Sequence, residues 1–529
     1  MADADVIVIG SGHNGLVAAL TLAKAGASVV VLEQASEIGG ATRSAEVTLP
    51  GYIHDLFATN FTLFTESPAY REFQAELAKL GVNFLSNDQP YASGYEGGRA
   101  ARVFLDEERT EREIGRLSAP DRKAWRDTVS FYKRTAPRFL PLQSQPMLSG
   151  VMFRQIGQIF AGNPADTVSL SRLLFESARQ FGDRRFQSVD VKSLFTPWAF
   201  HLDYGPDVRG GAIFSFVPSM SAHLRGIRIV QGGASRLTSA FRRLIEGHGG
   251  IVRTGAYVKT IEIAQNRAVG VTLENGESLP ASRAVIANVS PKCLFGTLVH
   301  PDKLPSRFFR KMERFRHAPG TFIVHLALRE ELGWRAGEDL SKFNYVHLNC
   351  TPAEINKAYS EALAGYLPAR PMLIVSQTTL VDPSRAPAGR HIVRVHARAF
   401  PAAILGDAGG TISGHDWNSA REAIADRIID LLAEHAPNVR SALLARHVMS
   451  PAEIERANPS LVNGDCNGGS QHLDQYYFLR PALGWSQYRT PIENLYMVGA
   501  SQWPGSGVNG VSGHLLAQRL VASGLKDAD

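Results

Sequence analysis

A glycine-rich turn between a predicted strand and a predicted helix is the part of this sequence whose chemistry is easiest to read. Residues 5–15 are Asp-Val-Ile-Val-Ile-Gly-Ser-Gly-His-Asn-Gly. Gly10 permits a tight turn, Gly12 lets the backbone approach a pyrophosphate, and Gly15 lets the helix pack close to the strand. The free N–H groups of the helix N-terminus attract the negative charge. The pattern therefore predicts a dinucleotide-binding site.

An acidic residue and a second glycine pair indicate which dinucleotide is bound. Glu33 follows the second predicted strand, residues 28–32, and is placed to hydrogen-bond a ribose diol. Residues 39–43, Gly-Gly-Ala-Thr-Arg, let the backbone pass the diphosphate a second time and place Arg43 near phosphate or the flavin edge. This extension is typical of FAD-binding flavoproteins, and simple nicotinamide dehydrogenases do not need it. The predicted cofactor is FAD.

Another glycine cluster lies near the C-terminus, at residues 499–513. Its Gly505, Gly507 and Gly510 have dinucleotide spacing, but Ser-Gln-Trp-Pro separates them from the preceding strand and only one helix follows. A separate nicotinamide domain is therefore not expected. We predict a helix N-terminus that faces the pyrimidine edge of the flavin, where negative charge accumulates on reduction. A helix cap that only packs is the alternative.

These segments define the predicted cofactor-binding residues. Val258 is included as the expected adenine-side backbone contact, and Asn509 is expected to present its amide near the flavin. The set is Gly10, Gly12, His13, Asn14, Gly15, Glu33, Gln34, Gly40, Ala41, Arg43, Val258, Gly499, Ala500, Val508, Asn509 and Gly510.

Length and composition limit the function classes. A chain of 529 residues is too long for one core, so two interleaved domains are expected. Hydrophobic residues make up 44% and charged residues 20%, as in ordinary globular enzymes. The net charge of +6 is thinly spread, so nucleic-acid binding is not expected. Mild attraction to an anionic membrane and a merely solvated basic surface both remain open.

The cysteines and the N-terminus bear on location. Cys293, Cys350 and Cys466 are solitary, so neither a dithiol relay nor a metal site is expected, which suits a reducing cytoplasm. The first residues lead directly into a strand, and no apolar run approaches about 18 residues. Neither a signal peptide nor a membrane span is expected. We predict a cytoplasmic protein, with peripheral membrane contact left open and no oligomeric state assigned.

The elements that position these residues come in alternating blocks. Residues 1–65, 228–300 and 451–529 are predicted to form a discontinuous FAD-binding domain, and residues 66–227 and 301–450 a substrate-binding domain. The sequence further predicts a hairpin over 258–264 and 268–273, strands over 284–288, 321–328, 391–399 and 495–499, and a helix over 420–434.

At this level the chain resembles the phytoene desaturase-related FAD-dependent oxidoreductases, and within them the pyridine nucleotide-disulfide oxidoreductase domain-containing protein 2 group. The likeness spans nearly the whole chain except 66–225. It is carried by residues 10–15, Glu33, 39–43, 50–55, 231–237, 382–389, 450–455, 473–481, 488–491 and 499–513. The resemblance implies the α/β class, with a Rossmann-like FAD-binding domain of the glutathione-reductase/amine-oxidase type and an inserted α+β substrate domain. It also implies hydride chemistry on hydrophobic, often polyene-like molecules. The disulfide named for the group implies no chemistry here, because the dithiol is absent.

The resemblance directs attention to two segments for catalysis. Residues 51–61 are expected to run past the flavin face, where His54 and Asp55 could move a proton. Residues 471–477 precede a loop leading to the flavin strand, which makes His472 and Asp474 further candidates. Each of these four residues also has a purely structural interpretation. The predicted substrate contacts are Phe57, Asn60, Tyr477 and Trp503.

Two apolar regions have alternative interpretations. Trp198, Phe200, His201, Tyr204, Phe214 and Phe216 either line a tunnel for an apolar substrate or pack in a core. Residues 139–160 either lie on a membrane interface or pack on the domain.

The leading hypothesis is an FAD-dependent oxidoreductase that transfers hydride at carbon on a hydrophobic, conjugated or allylic substrate. An amine-oxidase-like activity, a flavin-dependent isomerase or saturase, and a non-catalytic flavoprotein are the alternatives.

Overall fold

The computed structural model describes residues 4–524. Residues 1–3 and 525–529, which belong to the predicted FAD-binding domain, lie outside the described part. The strands are β1 (Ala4–Ile9), β2 (Val29–Leu32), β3 (Ser44–Ala45), β4 (His54–Asp55), β5 (Phe84–Leu85), β6 (Tyr91–Tyr95), β7 (Arg99–Val103), β8 (Ile229–Val230), β9 (Ile251–Arg253), β10 (Val258–Ala264), β11 (Arg267–Leu273), β12 (Ser278–Ala287), β13 (Gly320–Leu328), β14 (Tyr345–Leu348), β15 (Tyr366–Leu367), β16 (Leu373–Ser376), β17 (His391–Phe400), β18 (Gly406–Asp407), β19 (Leu443–Met449) and β20 (Leu495–Met497).

The α-helices connect and cover these strands. They are α1 (His13–Lys24), α2 (Thr62–Thr65), α3 (Pro68–Lys79), α4 (Glu107–Leu117), α5 (Ala119–Phe139), α6 (Gly150–Phe160), α7 (Pro164–Phe175), α8 (Ala178–Arg185), α9 (Val189–Lys192), α10 (Thr196–Phe200), α11 (Gly211–Arg225), α12 (Ser235–Gly247), α13 (Pro291–Cys293), α14 (Ser306–Glu313), α15 (Pro352–Leu363), α16 (Trp417–His435), α17 (Val439–Ala442), α18 (Pro451–Ala457) and α19 (Val511–Ala522).

The first sheet is built around β1. This strand pairs in parallel with β2 and β12, and the parallel set continues to β9 on one side and β20 on the other. The beginning of β12 pairs instead with β11, and β10 and β11 form an antiparallel hairpin. Three separated stretches of chain therefore meet in one sheet.

Alternate residues of β1 face two different apolar layers. Val6 and Val8 belong to a cluster with residues of α1, α12 and α19, whereas Ile7 and Ile9 belong to one with residues of β10–β12 and α14. Both faces are covered, which is why residues 6–9 of the strand are all apolar. This burial fixes the carboxyl end of β1, where the glycine turn begins.

The second sheet has the order β19-β13-β17-β16-β14-β6-β7 and is antiparallel except between β14 and β6. On one face, Val324 and Leu326 of β13 and Val393 and Val395 of β17 cluster with buried residues of α16. The opposite face carries polar side chains, because successive residues of a strand point to opposite sides.

The two sheets and their helices confirm the predicted α/β class. The predicted hairpin occurs as β10 and β11, and the predicted strands over 321–328 and 391–399 occur as β13 and β17. The predicted helix over 420–434 is α16, which is longer by a few residues at its N-terminus. The domain limits themselves stay a prediction. Within residues 4–524, no helix combines the length and the apolar character that crossing a bilayer requires.

Candidate functional site

The glycine turn after β1 has no room for larger residues. Gly10 has φ +88°, and a Cβ on Gly15 would lie 2.5 Å from the Gly10 carbonyl oxygen. A Cβ on Gly12 would lie 2.8 Å from the amide nitrogen of Asn288. That nitrogen donates hydrogen bonds to the carbonyl oxygens of Gly10 and Gly12, each at 3.2 Å. Asn288, which directly follows β12, thus holds the turn in shape and was missed by the sequence analysis.

Glu33 lies at the end of β2 beside the glycine turn. Its Oε2 accepts hydrogen bonds from the Ser11 backbone N–H at 3.0 Å and the Ser11 hydroxyl at 2.6 Å, and its Oε1 accepts one from the Ala35 N–H at 2.9 Å. A carboxylate has about four acceptor sites, so Oε1 keeps capacity for a hydroxyl donor. The position suits the predicted ribose contact.

The second glycine pair lies against the first. Gly12 forms an isolated parallel bridge with Gly39, and the Gly39 N–H donates to the Ser11 hydroxyl oxygen at 3.0 Å. A Cβ on Gly40 would lie 3.1 Å from the Gly12 Cα. Arg43 donates to the carbonyl oxygens of Gly40 and Ala457, so its guanidinium joins this loop to the end of α18.

These segments enclose one cleft along the carboxyl ends of β1, β2 and β12. Twelve of the predicted cofactor residues line it: Gly10, Gly12, His13, Asn14, Glu33, Gln34, Gly40, Ala41, Arg43, Val258, Gly499 and Ala500. Gly15, Val508, Asn509 and Gly510 are not among its lining residues. The sequence analysis missed Asn288, Ser290, Asn458, Ser460 and Ser501, which also line it. Their signal in the sequence was a set of small polar residues following strand or helix ends.

The C-terminal loop packs its helix closely against the first one. A Cβ on Gly513 would lie 1.9 Å from the Asn14 carbonyl oxygen, so only glycine allows α19 to approach α1. Asn509 accepts a hydrogen bond from the Val511 N–H and donates to the Gly507 carbonyl oxygen, both with its side chain. Its amide is therefore used to cap α19, and a flavin contact by that amide stays a prediction that this geometry does not favour.

His54 and Asp55, two of the catalytic candidates, are deeply buried. Asp55 Oδ2 accepts from Arg385 at 2.7 Å, and its Oδ1 accepts from the Ser44 hydroxyl and the Ala234 N–H. His54 Nε2 lies 2.8 Å from the Thr48 hydroxyl, and burial lowers its pKa to about 4. The geometry gives Asp55 a structural role, in which it joins β4 to α12 and to the loop around Arg385.

The other two catalytic candidates lie in different surroundings. Asp474 is exposed and pairs with Arg316 at 2.6 Å, so it lies on the surface. His472 Nε2 lies 2.8 Å from the carbonyl oxygen of Asp203. Asp203 was missed by the sequence analysis. Its backbone has φ +73°, its carboxylate accepts from the Ser470 hydroxyl at 2.8 Å, and burial raises its pKa to about 6.

The predicted substrate contacts separate into two groups. Tyr477 and Trp503 lie near each other, with ring centroids 6.0 Å apart, in an aromatic cluster with Tyr204, Phe214 and Tyr476. Phe57 packs in a small core beside Ile323 and Leu461. Asn60 accepts a hydrogen bond from the Thr62 N–H at the start of α2.

The aromatic residues around 198–216 also separate. Trp198, Phe200 and Phe216 belong to the core formed by the helices of residues 107–225, whereas Tyr204 and Phe214 belong to the aromatic cluster around Trp503. Packing explains the first three, and only the last two lie beside predicted substrate contacts.

Four side chains in this part of the protein are only partly covered. His201, His396, Cys466 and Tyr477 keep part of their surface accessible although they lie deep in the protein. Burial lowers the pKa of His201 and His396 well below the ordinary value, so both imidazoles are neutral at pH 7. Ser506 of the glycine loop hydrogen-bonds Asn467, the neighbour of Cys466. Asn467 therefore links this group of side chains to the C-terminal glycine loop.

The cleft and its surroundings fit a flavin dinucleotide. The glycine turn leaves room for a pyrophosphate where any Cβ would clash, and Glu33 has acceptor capacity for a ribose. Asn14 Oδ1 is buried without a hydrogen-bond partner among the described residues and lines the cleft. FAD would be held by the residues that line this cleft.

Comparison with known proteins supports this assignment. The model of a family described as flavin containing amine oxidoreductase matches residues 15–520. The chain is 27% identical to pyridine nucleotide-disulfide oxidoreductase domain-containing protein 2 of Mus musculus, over 96% of this chain and 92% of the relative. It is 25% identical to a limonene dehydrogenase polypeptide of Castellaniella defragrans, over 98% and 94%. It is 24% identical to the lycopene-forming phytoene desaturase of Pseudescherichia vulneris, over 96% of each.

A solved structure shares the fold. Cyclohexylamine oxidase from Brevibacterium oxydans superposes with a TM-score of 0.58 at 17% identity and covers 99% of both chains. At this identity the likeness shows the fold alone. The family match and the relatives together establish FAD as the cofactor and confirm the predicted resemblance to phytoene desaturase-related proteins.

Proposed function

This chain belongs to the family of flavin containing amine oxidoreductases and is an FAD-dependent oxidoreductase, and within that family we propose that it transfers a hydride at carbon on a hydrophobic, conjugated or allylic substrate. The observation that carries the proposal is the aromatic cluster around Tyr477 and Trp503, which adjoins the C-terminal glycine loop. Two relatives are named for limonene and phytoene, both unsaturated hydrocarbons, which supports the same substrate class.

Each part of the site has a distinct role in this proposal. When bound, FAD supplies the hydride acceptor or donor. Glu33 binds the ribose, and the glycine turn accommodates the pyrophosphate. Tyr477 and Trp503 orient the apolar part of the substrate and exclude water. His201 is neutral, so its imidazole can accept a proton that leaves the substrate.

An amine-oxidase-like activity has less support. It would require a lysine and water beside the flavin, and no lysine side chain within residues 4–524 is buried. The aromatic cluster around Trp503 is the feature that keeps this alternative open.

The direct test follows the visible absorption band of the flavin without oxygen. NADH, NADPH, a conjugated hydrocarbon and a primary amine are added separately to the FAD-loaded protein. We expect the hydrocarbon to bleach the band. Bleaching by NADH or NADPH indicates a saturase, reductase or reduced-flavin isomerase, and bleaching by the amine alone overturns the proposal. A flavin that none of them reduces favours the non-catalytic alternative.

We further propose a peripheral contact with a membrane through an apolar surface patch on α6, α7 and the residues just before α6. Its members are Leu148, Val151, Phe153, Phe160, Val168 and Phe175, all exposed. Arg154 lies exposed on the same stretch, as suits an anionic surface. Vesicles of phosphatidylserine and phosphatidylcholine should retain the protein more than pure phosphatidylcholine, and Phe153→Ser with Phe160→Ser should abolish this. Equal recovery with both vesicles would contradict it.

We also propose a reducing compartment for this protein, which the three unpaired cysteines support.

A further inference from the structure

Three basic or imidazole side chains lie on one face of β17. Arg394, His396 and Arg398 alternate along the strand with Val393, Val395 and Ala397, which belong to the apolar core beneath the sheet. Because successive side chains of a strand point to opposite faces, the three polar groups share the face opposite that core. His396 keeps part of its surface accessible.

Neither arginine has a carboxylate partner within the described residues. Arg394 and Arg398 are buried, with 7% and 4% of their surface exposed. Arg394 donates to the carbonyl oxygen of Phe57 and lies 3.3 Å from His396 Nδ1. Arg398 donates to the Thr321 hydroxyl and to main-chain oxygens of residues 200 and 201. These acceptors are neutral, so neither buried guanidinium is directly bonded to a negatively charged group.

The acidic side chains closest to these two arginines are hydrogen-bonded to other groups. Asp55 pairs with Arg385, and Asp465 accepts the backbone N–H groups of residues 318, 467 and 469. Asp203 accepts hydrogen bonds from the hydroxyls of Ser470 and Tyr359. None of these carboxylates lies within ion-pair distance of Arg394 or Arg398 in the described residues.

Two hydrogen-bond donors on this face lack an acceptor among the described residues. Arg394 Nε has no acceptor among the described residues. His396 Nδ1 faces the Arg394 guanidinium, so it is the acceptor and Nε2 carries the proton. His396 Nε2 also has no partner within residues 4–524. Buried donors of this kind are normally satisfied, so this face has the capacity to bind a ligand with acceptor oxygens.

The face lies beside the cofactor site. Arg394 contacts the segment around Phe57, and Arg398 lies within hydrogen-bond distance of the Asn467 amide, at 3.0 Å when Asn467 is oriented to satisfy its neighbours. Asn467 in turn contacts Ser506 of the glycine loop. Asn467 directly precedes Gly468, which lines the cleft, so Arg398 lies near one end of the predicted cofactor site.

We propose that Arg394, His396 and Arg398 bind a carboxylate of the substrate, so that the substrate is an amphipathic unsaturated acid whose apolar part lies against Tyr477 and Trp503. A carboxylate supplies both the negative charge and the acceptor oxygens that this face lacks, and charge-assisted hydrogen bonds to arginine are the strong ones. The inference rests on the proposed function for the reaction, and it adds the chemical class of the substrate.

The test compares two probes that differ in charge but hardly in shape. Binding of cinnamate and of cinnamamide to the FAD-loaded protein is measured by isothermal titration calorimetry. We expect cinnamate to bind at least about tenfold more tightly. Arg394→Gln and Arg398→Gln should each weaken cinnamate by about tenfold or more and leave cinnamamide unchanged. Arg394→Lys should restore part of the preference.

Arg446→Gln is the matched control. Arg446 lies on β19 of the same sheet and pairs with Glu422 and Asp426 near the surface, so its loss should leave both probes unaffected. If the arginine variants do not fold, the wild-type protein still decides the question. Its thermal unfolding temperature should rise with cinnamate and not with cinnamamide.

Three outcomes would overturn the inference. They are equal affinity for the two probes, binding of neither probe, and a cinnamate preference that survives both glutamine variants while the flavin reduction potential shifts. The last would mean that the arginines serve the flavin. Oxidation of a neutral polyene by a protein without cinnamate preference would remove this inference and leave the proposed function standing. A preference for cinnamate, without bleaching of the flavin by any polyene, would remove the proposed function and leave the carboxylate site standing.

Discussion

Two buried arginines close together in the chain are compensated in opposite ways. Arg385 has no exposed surface and lies between two carboxylates, those of Asp55 at 2.7 Å and Asp382 at 3.0 Å. Arg394, on β17, reaches only a carbonyl oxygen and an imidazole. The first arginine holds together β4, the end of β8 and the loop around Asp382. The second lies on an uncompensated face, where a ligand could complete the charge balance.

The difference between the two arginines separates buried charges that stabilise the fold from buried charges that are available to bind a ligand. A buried charge whose partners are all protein groups contributes to the fold, and removing one partner leaves the other unpaired. A buried charge whose partners are neutral costs free energy until a ligand arrives. Four substitutions test this distinction.

Arg385→Gln should destabilise the protein by about 3–5 kcal/mol, because it leaves the Asp55 and Asp382 carboxylates buried without a cation. The free energy of unfolding in urea measures this. Adding Asp55→Asn to the variant should recover part of the loss, since it removes one of the unpaired charges. A loss below about 1 kcal/mol would show that this network is no more structural than the face on β17.

Asp203→Asn tests a buried acid that has no arginine partner in the described residues. Burial raises the pKa of Asp203 from 3.8 to about 6, so the native state keeps a proton that the unfolded chain releases. The resulting stabilisation is complete below about pH 4 and is lost as the pH rises through about 6. Between pH 4 and pH 7 the wild type should therefore lose about 2 kcal/mol relative to the variant.

Urea denaturation of both proteins across this pH range provides the measurement. At pH 4, where the wild-type carboxyl is protonated in the native state, the variant should show its smallest advantage. If the unfolding free energies of the two proteins change in parallel from pH 4 to pH 7, Asp203 ionises as easily in the native state as in the unfolded chain. Asp203 would then not be a third buried group whose charge is disfavoured.

Arg394→Gln should change stability by less than about 1 kcal/mol in the absence of ligand. The substitution gives up hydrogen bonds to the Phe57 carbonyl and His396, but it also removes a charge that burial disfavours. The measurement is the same urea denaturation used for Arg385→Gln, so the two losses are compared directly. A loss of about 3 kcal/mol or more would make Arg394 a structural residue like Arg385.

Short-range features of the site were predictable from sequence, and long-range ones were not. The glycine turn, Glu33 and the second glycine pair lie within about 40 residues and act through the local chain, so their spacing indicated the site. Asn288 contacts Gly10 and Gly12 across 278 and 276 positions, and only the completed sheet brings it there. Its single signal was a polar residue directly after an apolar strand.

The polar face of β17 was indicated by an alternation of residue types in the sequence, but it was not among the predicted site residues. The strand over residues 391–399 was predicted, and its alternation of Arg394, His396 and Arg398 with valine and alanine marks two unlike faces. Asp203 had no such signal, because its burial depends on Ser470 and Tyr359, which are distant in sequence. The catalytic candidates His54, Asp55 and Asp474 were predicted from their positions in segments expected near the flavin, and such a position does not distinguish an ion-paired or structural residue from a reactive one.

Asp474→Asn should have the smallest effect. Its carboxylate pairs with Arg316 at 2.6 Å, but the two side chains are 62% and 52% exposed, and water and salt screen such a pair. The expected change in unfolding free energy is about 0–1 kcal/mol, and high salt should reduce it further. Turnover should stay unchanged, because the residue lies on the surface and does not line the cleft. A large loss of turnover with unchanged stability would instead place Asp474 in the chemistry. The uncompensated face on β17 would then not be the only part of the substrate side that acts on a ligand.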